Sequence, residues 1–460
     1  MNIHVPPLFV PPRPEPPAAE LGFLPFLRAM RTDALQVWTR AAYEEDVRAG
    51  RAPLTGRTRV LINGADAIHR VLVENTDNYR RNPLGLRILR PVVGDGLLLS
   101  EGDDWRHQRR TMAPALAPRV MPMMARHVAV ATHETVARLT HAAVTGPVDV
   151  LATMQVLALE IASRAMFSLE MTRHGAALRR HLMGAADLAR PTMLDLLLPA
   201  TIPTLQDFAR MRFRRRWTAF MDDVIEARLQ APADPDKPRD LFDLLLAARD
   251  PETGAPFSRA QLRDQMATMM VAGHETTALT LFWSMYLLAS SPADQDRVAA
   301  EVRTLDLSPD GAAAALTQLR HTRAVVNETL RLYPSAPMLS RIAVGPDEVG
   351  GLAVPGGALI VISPWVLHRH RRLWDAPDAF DPQRFLSGQP HAHRYAYMPF
   401  GAGPRICIGA QLALTEACLV LATLIQRFEV RMAAPRPVLP AAMVVLYPDH
   451  PAPFILKARR

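Results

Sequence analysis

A chain of 460 residues and 50.9 kDa is long enough for one large domain or for two or three smaller ones. Hydrophobic residues make up 49% of it and charged residues 21%, which excludes disorder as the dominant state. The net charge is +8, and arginine supplies all but two of the 53 basic residues. These arginines are scattered and form no basic arm or tail, so we expect no nucleic acid partner.

The amino end is rich in proline, with seven prolines among the first 17 residues. Neither this end nor any later stretch holds an uninterrupted apolar run long enough for a signal peptide or a membrane span. We therefore treat residues 1–25 as a Pro-rich segment and expect a cytoplasmic protein without a membrane span.

Helical periodicity dominates the chain from residue 26 to 460. The predicted helices cover 121–141, 148–167, 209–229, 258–290, 293–305, 319–332 and 410–428, and the predicted strands cover 58–62, 358–362, 428–432 and 444–446. No internal repeat or linker divides the chain. The sequence thus favours one mainly α domain, residues 26–460, with a small β portion.

The helix over 258–290 is the longest prediction. Ser258 followed by Gln261 forms a capping-box pattern at its start, and the helix would be about 50 Å long. A polar island, Gly273-His274-Glu275-Thr276, interrupts its apolar middle. An island of this kind on a helix that crosses a whole domain indicates a surface that faces a ligand.

Two cysteines limit the cofactor chemistry, because they are too few for an iron–sulfur cluster or a four-cysteine zinc site. Helical spacing would place Cys407 and Cys418 about 16 Å apart, too far for a disulfide. Cys407 lies in the sequence F-G-A-G-P-R-I-C-I-G, in which Gly401 and Gly403 permit a tight turn and close approach of a flat ligand. A following helix start would favour its thiolate. An isolated cysteine is more often core filler, and a dinucleotide loop would need glycine at Ile406.

The cysteine loop resembles the haem-binding signature F-x-x-G-x-R-x-C-x-G of the cytochrome P-450 haem-thiolate monooxygenases. The matching residues are Phe400, Gly403, Arg405, Cys407 and Gly409, with Gly401 as a glycine that is common there. The resemblance implies a single cytochrome P-450-like helical domain built around a buried haem b. It also implies that Cys407 is the iron ligand and that Arg405 approaches a haem propionate.

Four further motifs follow the family order between Trp105 and Phe428. Ala272 to Thr277 resembles the oxygen-activation segment A-G-x-E-T-T, which implies that Thr276 orients bound oxygen and that Glu275 supplies protons. The resemblance assigns Glu328, Arg331 and Arg384 to a structural network. It assigns Trp105, Arg109 and Arg341 to haem propionate binding.

The substrate pocket is inferred from the same resemblance. It would lie along residues 83–99 and 188–208 and would include Leu86, Leu89, Met269, Ala272, Met338 and Leu339. These side chains are aliphatic or small, which favours an apolar substrate such as a fatty acid, terpenoid or steroid. Ordinary core packing would produce the same pattern.

The reaction implied by the resemblance inserts one atom of dioxygen into the substrate and releases the other as water. Electrons would come from a separate ferredoxin or flavodoxin with its NAD(P)H reductase, since no fused flavin or iron–sulfur module is expected. We expect a monomer. The alternatives are a peroxide-driven peroxygenase, disfavoured by Glu275 and Thr276, a non-catalytic gas-binding haem protein, and an isomerase or dehydratase of the same fold.

Overall fold

The computed structural model describes residues 8–51, 56–168, 175–230, 238–386, 393–433 and 436–459. The first seven residues of the Pro-rich segment lie outside this part of the chain. The remainder of that segment bonds to the body of the protein: the Phe380 amide donates to the Phe9 carbonyl at 2.8 Å, and Arg13 pairs with Asp378 at 3.0 Å.

Helices form most of the described structure. They are α1 (Phe23–Thr32), α2 (Ala65–His69), α3 (Pro83–Val93), α4 (Gly102–Met112), α5 (Met121–Thr145), α6 (Val150–Phe167), α7 (Gly175–Leu188), α8 (Met193–Leu197), α9 (Leu205–Leu229), α10 (Leu241–Ala247), α11 (Arg259–Ser290), α12 (Pro292–Val302), α13 (Ala312–Ala315), α14 (Arg320–Leu332), α15 (Pro364–Leu367) and α16 (Ala410–Arg427). The predicted mainly helical fold is confirmed.

Strands are short and form four small sheets. They are β1 (Val47–Arg51), β2 (Thr58–Ile62), β3 (Tyr79–Arg81), β4 (Val148–Asp149), β5 (Leu339–Ala343), β6 (Asp347–Val349), β7 (Leu352–Val354), β8 (Leu359–Ile362), β9 (Phe428–Met432), β10 (Pro440–Ala442), β11 (Leu446–Pro448) and β12 (Pro453–Ala458). The largest sheet has the order β1-β2-β8-β5-β3, in which only β2 and β8 are parallel.

Several predicted boundaries were wrong by a few residues. Residues 148–149 form β4 instead of the first turn of α6, because they pair with β12. Helix α9 begins at Leu205, four residues early, since Thr204 and Asp207 form a capping box. The predicted strand 444–446 begins only at Leu446 and runs to Pro448.

The core is built around α11, which the sequence predicted almost to the residue. Ser258 caps it, and the Ser258–Gln261 capping box is present. Helices α5, α6, α14 and α16 bury their apolar faces with α11 in the largest hydrophobic cluster. Within the described residues, only α6 is long and apolar enough to span a bilayer, and 61% of it is buried inside the protein, as in a core helix.

Candidate active site

The cysteine loop is a tight turn held on main chain. The Cys407 amide donates to the Phe400 carbonyl at 2.9 Å. Gly401 and Gly403 have φ values of +75° and +72°, which favour glycine. A Cβ on Gly403 would meet the Leu72 carbonyl oxygen at 2.0 Å, so no larger residue fits there. The predicted close-packed loop is therefore present.

Cys407 lies three residues before the start of α16. The residue is exposed, yet desolvation by the surrounding protein raises the pKa of its thiol, while the Gly409 amide and Arg109 act to lower it. Helix α16 begins at Ala410, and the amide just before it, that of Gly409, acts to lower this pKa, although burial outweighs its effect. A thiol of this kind is deprotonated when it coordinates a cation, as it would on haem iron.

Three partly buried arginines, Arg81, Arg341 and Arg405, lie near one another in the same region. Arg81 and Arg341 are paired opposite each other on β3 and β5. Burial, together with repulsion from Arg341 and Arg405, lowers the pKa of Arg81 to about 9. Burial and Arg341 lower the pKa of Arg405 to about 10. Glu101 opposes these shifts without cancelling them, so the cluster has an excess of positive charge that fits a ligand with two carboxylates, such as haem with its propionates.

The predicted residues of α4 contact the cysteine loop. The Arg405 guanidinium lies 4.4 Å from the centroid of the Trp105 ring and donates to the Ser100 carbonyl at 2.9 Å. Arg109 donates to the Ile406 carbonyl at 2.9 Å, next to the cysteine. The structure thus brings the predicted propionate donors of α4 to the loop itself.

Arg81 was missed by the sequence analysis. It occurs in a three-residue strand, and in a chain with 51 arginines nothing in the local pattern distinguishes it. Only the pairing of β3 with β5 places it beside Arg341.

The polar island of α11 is accessible. Ala272 is exposed and residues 273–276 are partly exposed, whereas every residue from 277 to 288 is buried. The Thr276 hydroxyl donates to the Ala272 carbonyl at 2.7 Å. Burial raises the pKa of Glu275, and Arg190 opposes this shift. A carboxyl with a raised pKa keeps its proton at a higher pH than usual. Together with an accessible hydroxyl beside it, such a carboxyl can pass protons to a bound ligand.

The Glu328–Arg331 pair is fully buried and fully hydrogen-bonded. Two guanidinium nitrogens of Arg331 donate to the two carboxylate oxygens of Glu328, each at 2.7 Å, and the guanidinium also donates to the carbonyls of His368, Pro377 and Ala379. Arg384 lies 3.5 Å from Glu328. The three predicted residues therefore meet, and they join α14 to the segment that precedes the cysteine loop.

His368 extends this network toward the cysteine loop, and no local sequence pattern pointed to it. Its Nδ1 lies 3.2 Å from the Arg331 carbonyl, and its Nε2 accepts from the Met398 amide at 3.0 Å. Met398 stands two residues before Phe400. Burial and the nearby Arg331 lower the pKa of His368 to about 3, so the ring is neutral, as an acceptor requires.

The six predicted pocket residues occupy several clusters. Leu86 and Leu89 pack with Val271 of α11, and Met269 packs with Trp105 and Ile408 against a second cluster. Met338 packs against the largest hydrophobic cluster, and Leu339 packs against another cluster. The two α3 members thus share a cluster with α11 next to the island, and Ala272 lies on the island itself.

Comparisons with known proteins show the family to which the chain is similar. A model of the cytochrome P-450 family matches residues 12–454. The chain is 34% identical over 345 residues to cyclooctat-9-en-7-ol 5-monooxygenase of Streptomyces melanosporofaciens, covering 74% of each chain. It is 31% identical over 369 residues to pentalenene oxygenase of Streptomyces avermitilis, covering 79% of each. It is 31% identical over 413 residues to a cytokinin hydroxylase of Arabidopsis thaliana, covering 87% of this chain and 79% of the relative.

Proposed function

The chain belongs to the cytochrome P-450 family of monooxygenases, and from this premise we propose that it inserts one oxygen atom into an apolar substrate at a haem b held by Cys407. Haem iron with a thiolate ligand supplies the activation of dioxygen. The observation that carries the proposal is the exposed Cys407 beside partly buried arginines whose one acidic neighbour, Glu101, does not cancel their charge.

Each predicted residue has a role in this proposal. Arg81, Arg341 and Arg405 bind the two propionates, with Trp105 and Arg109 supporting them. Phe400 and Gly401 shape the loop, and Glu328, Arg331 and Arg384 hold the core behind it. Thr276 holds a proton at its hydroxyl, and Glu275 resupplies that proton from its partly buried carboxyl.

For the substrate we propose a terpenoid, in preference to a fatty acid or steroid. The aliphatic side chains of Leu86, Leu89 and Met269 support an apolar ligand. Two bacterial relatives named for the oxidation of cyclooctat-9-en-7-ol and pentalenene support the class.

We further propose that residues 26–460 form the haem domain, with residues 1–25 as a Pro-rich segment on its surface. The protein would act in the cytoplasm as a monomer, with no fused flavin or iron–sulfur module. A separate ferredoxin or flavodoxin with its reductase would supply the electrons.

The two cysteines provide a matched test. In the reduced protein with carbon monoxide, the strongly red-shifted Soret band of a thiolate-bound haem should appear in the wild type and in Cys418→Ala, and should vanish in Cys407→Ala. A histidine-type spectrum in the wild type would overturn the proposal.

A second measurement separates the proposed reaction from its alternatives. NADPH consumption with a surrogate ferredoxin pair should rise when a terpenoid library member shifts the haem spin state, and an oxygenated product should form. Product formation with peroxide alone at an equal rate would favour the peroxygenase, and turnover without electrons would favour an isomerase or dehydratase.

A further inference from the structure

Glu101 is an acidic residue within the group of arginines near the cysteine loop. It stands just before α4, and its Oε1 accepts from the Arg81 amide at 2.8 Å. The preceding carbonyl, that of Ser100, accepts from the Arg405 guanidinium at 2.9 Å. Arg341 lies opposite Arg81 on the paired strand. Two consecutive residues, Ser100 and Glu101, therefore join the strand that carries one arginine to the loop that carries another.

The Glu101 carboxylate acts on these guanidiniums through its charge and not through direct bonds. Among the described residues it forms no ion pair with them, and its hydrogen bond is to a main-chain amide. Its charge nevertheless opposes the lowered pKa of each of the three side chains, Arg81, Arg341 and Arg405. The Arg81 Nε is buried and has no hydrogen-bond partner within the described part of the chain. Guanidinium donors therefore remain available to a ligand with acidic groups.

The charges of this cluster balance when two carboxylates are added. Three guanidiniums supply three positive charges, Glu101 supplies one negative charge, and the two propionates of a haem would supply the other two. Arg106 does not enter this count, because it is exposed and pairs with Asp103 at 2.7 Å. The charge of Arg109 interacts with that of Cys407 instead. Without Glu101, the site would keep one uncompensated positive charge when its ligand is bound.

A carboxylate at this place would influence a bound haem in two ways. It repels the propionates, which weakens the retention of haem, and its negative charge disfavours the addition of an electron, which lowers the reduction potential. Glu101 is partly buried, so solvent screens part of each effect and leaves part of it. When haem is absent, the same carboxylate offsets the repulsion among the guanidiniums.

We propose that Glu101 is a positioning residue that acts through the three arginines: it completes the charge balance around the haem propionates and thereby lowers the reduction potential of the haem. The inference rests on the proposed haem function, since it concerns the potential of that haem. Glu101 stabilises the protein without haem and makes haem retention weaker than the arginines alone would make it.

The test replaces Glu101 by glutamine, which keeps the oxygen that accepts from the Arg81 amide and removes the charge. In a redox titration of the purified holoprotein, Glu101→Gln should favour the ferrous form roughly threefold to tenfold more than the wild type, a rise of about 30–60 mV at about 59 mV per tenfold. Transfer of haem to apomyoglobin should be slower by a similar factor. Glu101→Asp keeps the charge, and its potential should stay near that of the wild type. Asp104→Asn is the matched control, because Asp104 is an exposed carboxylate in the first turn of α4.

A double variant separates the charge from the packing of the side chain. Glu101→Gln combined with Arg81→Gln removes one charge of each sign, so its potential should return toward the wild-type value. An unchanged potential in Glu101→Gln would overturn the inference, as would an equal rise in Asp104→Asn.

Thermal unfolding of the protein without haem gives a readout that needs no cofactor. Glu101→Gln should unfold at a lower temperature than Asp104→Asn, because the guanidiniums lose the carboxylate that offsets their repulsion. Equal unfolding temperatures would also overturn the inference. If the wild type binds no haem, the proposed haem function fails, and this comparison still decides whether Glu101 offsets the arginines.

Discussion

Arg81 and Arg341 are directly opposite each other on β3 and β5, although 259 positions separate them in the sequence. Opposed residues on antiparallel strands have Cβ atoms about 5 Å apart, and like charges at such positions repel. Burial lowers the pKa of both side chains. We propose that an anionic ligand bound beside this pair would offset the repulsion, which Glu101 only partly opposes.

Replacement of one of these arginines should not destabilise the protein without haem, but should weaken the retention of haem. We expect Arg81→Gln to leave the apo protein equally stable or about 1 kcal/mol more stable, because a repulsion is relieved. The holo protein should lose haem faster, because a propionate loses a donor. Thermal unfolding of both forms and haem transfer to apomyoglobin measure this. Arg80→Gln, exposed on the same strand, should change neither, and equal destabilisation of both forms by Arg81→Gln would contradict the assignment.

His368 should make the protein sensitive to acid. Its pKa of about 3 lies below the ordinary value of 6.5, so its contribution to the free energy of unfolding is complete above pH 6.5 and is lost as the pH falls toward 3. His368→Ala should lower the free energy of unfolding by about 1–3 kcal/mol at pH 7, because the buried Met398 amide loses its acceptor. The same variant should lose less stability than the wild type as the pH falls. Urea unfolding between pH 7 and 4.5 tests this, with a substitution of the exposed His141, His141→Ala, as control. If His368→Ala lost as much stability with falling pH as the wild type, the assignment to His368 would be wrong.

Glu416 should have the opposite effect. Burial raises the pKa of this carboxyl in α16 to about 8 from an ordinary value of 4.5. Its contribution to stability is therefore complete below pH 4.5 and disappears as the pH rises through 8. We expect Glu416→Gln to be more stable than the wild type at pH 8.5, by up to about 5 kcal/mol, with little difference at pH 5. The exposed Glu348→Gln serves as control in the same unfolding series, and a constant difference across the pH range would count against buried protonation.

Thr276 should control how efficiently electrons become product. In Thr276→Ala the hydroxyl on the accessible island is lost, so NADPH consumption should continue while product falls and peroxide accumulates, with coupling reduced by roughly tenfold or more. Thr276→Ser should restore coupling because it retains the hydroxyl. Product, peroxide and NADPH are measured in the same reaction, and unchanged coupling in the alanine variant would exclude this role.

Glu275 should set the pH limit of that coupling. Because burial raises its pKa, the protonated carboxyl persists to higher pH than usual, and coupling should fall as the pH rises through that value. Arg190 acts to lower this pKa, so Arg190→Gln should move the falling limb to higher pH. Glu275→Gln should couple NADPH consumption to product formation poorly, and its coupling should not change with pH in this range. A limb that stays at the same pH in Arg190→Gln would show that another group titrates.

Local patterns predicted the elements that depend on neighbouring residues. The Ser258–Gln261 capping box and the apolar periodicity of α11 and α16 identified those helices almost to the residue, because capping and amphipathicity act over one or two turns. Strands β3 and β5 escaped prediction because short strands that carry arginines are stabilised by their partners and not by their own propensity.

The sequence by itself determined the cysteine loop and the polar island of α11 as short local motifs, and the order of these motifs, through the family resemblance, identified the Glu328–Arg331 pair. Only the tertiary structure decided which arginines gather at the loop and that His368 links Arg331 to Met398. These contacts join residues that are distant along the chain, and burial lowers the pKa values of Arg81, Arg341, Arg405 and His368. No local pattern encodes either the partner of a side chain or the dielectric around it.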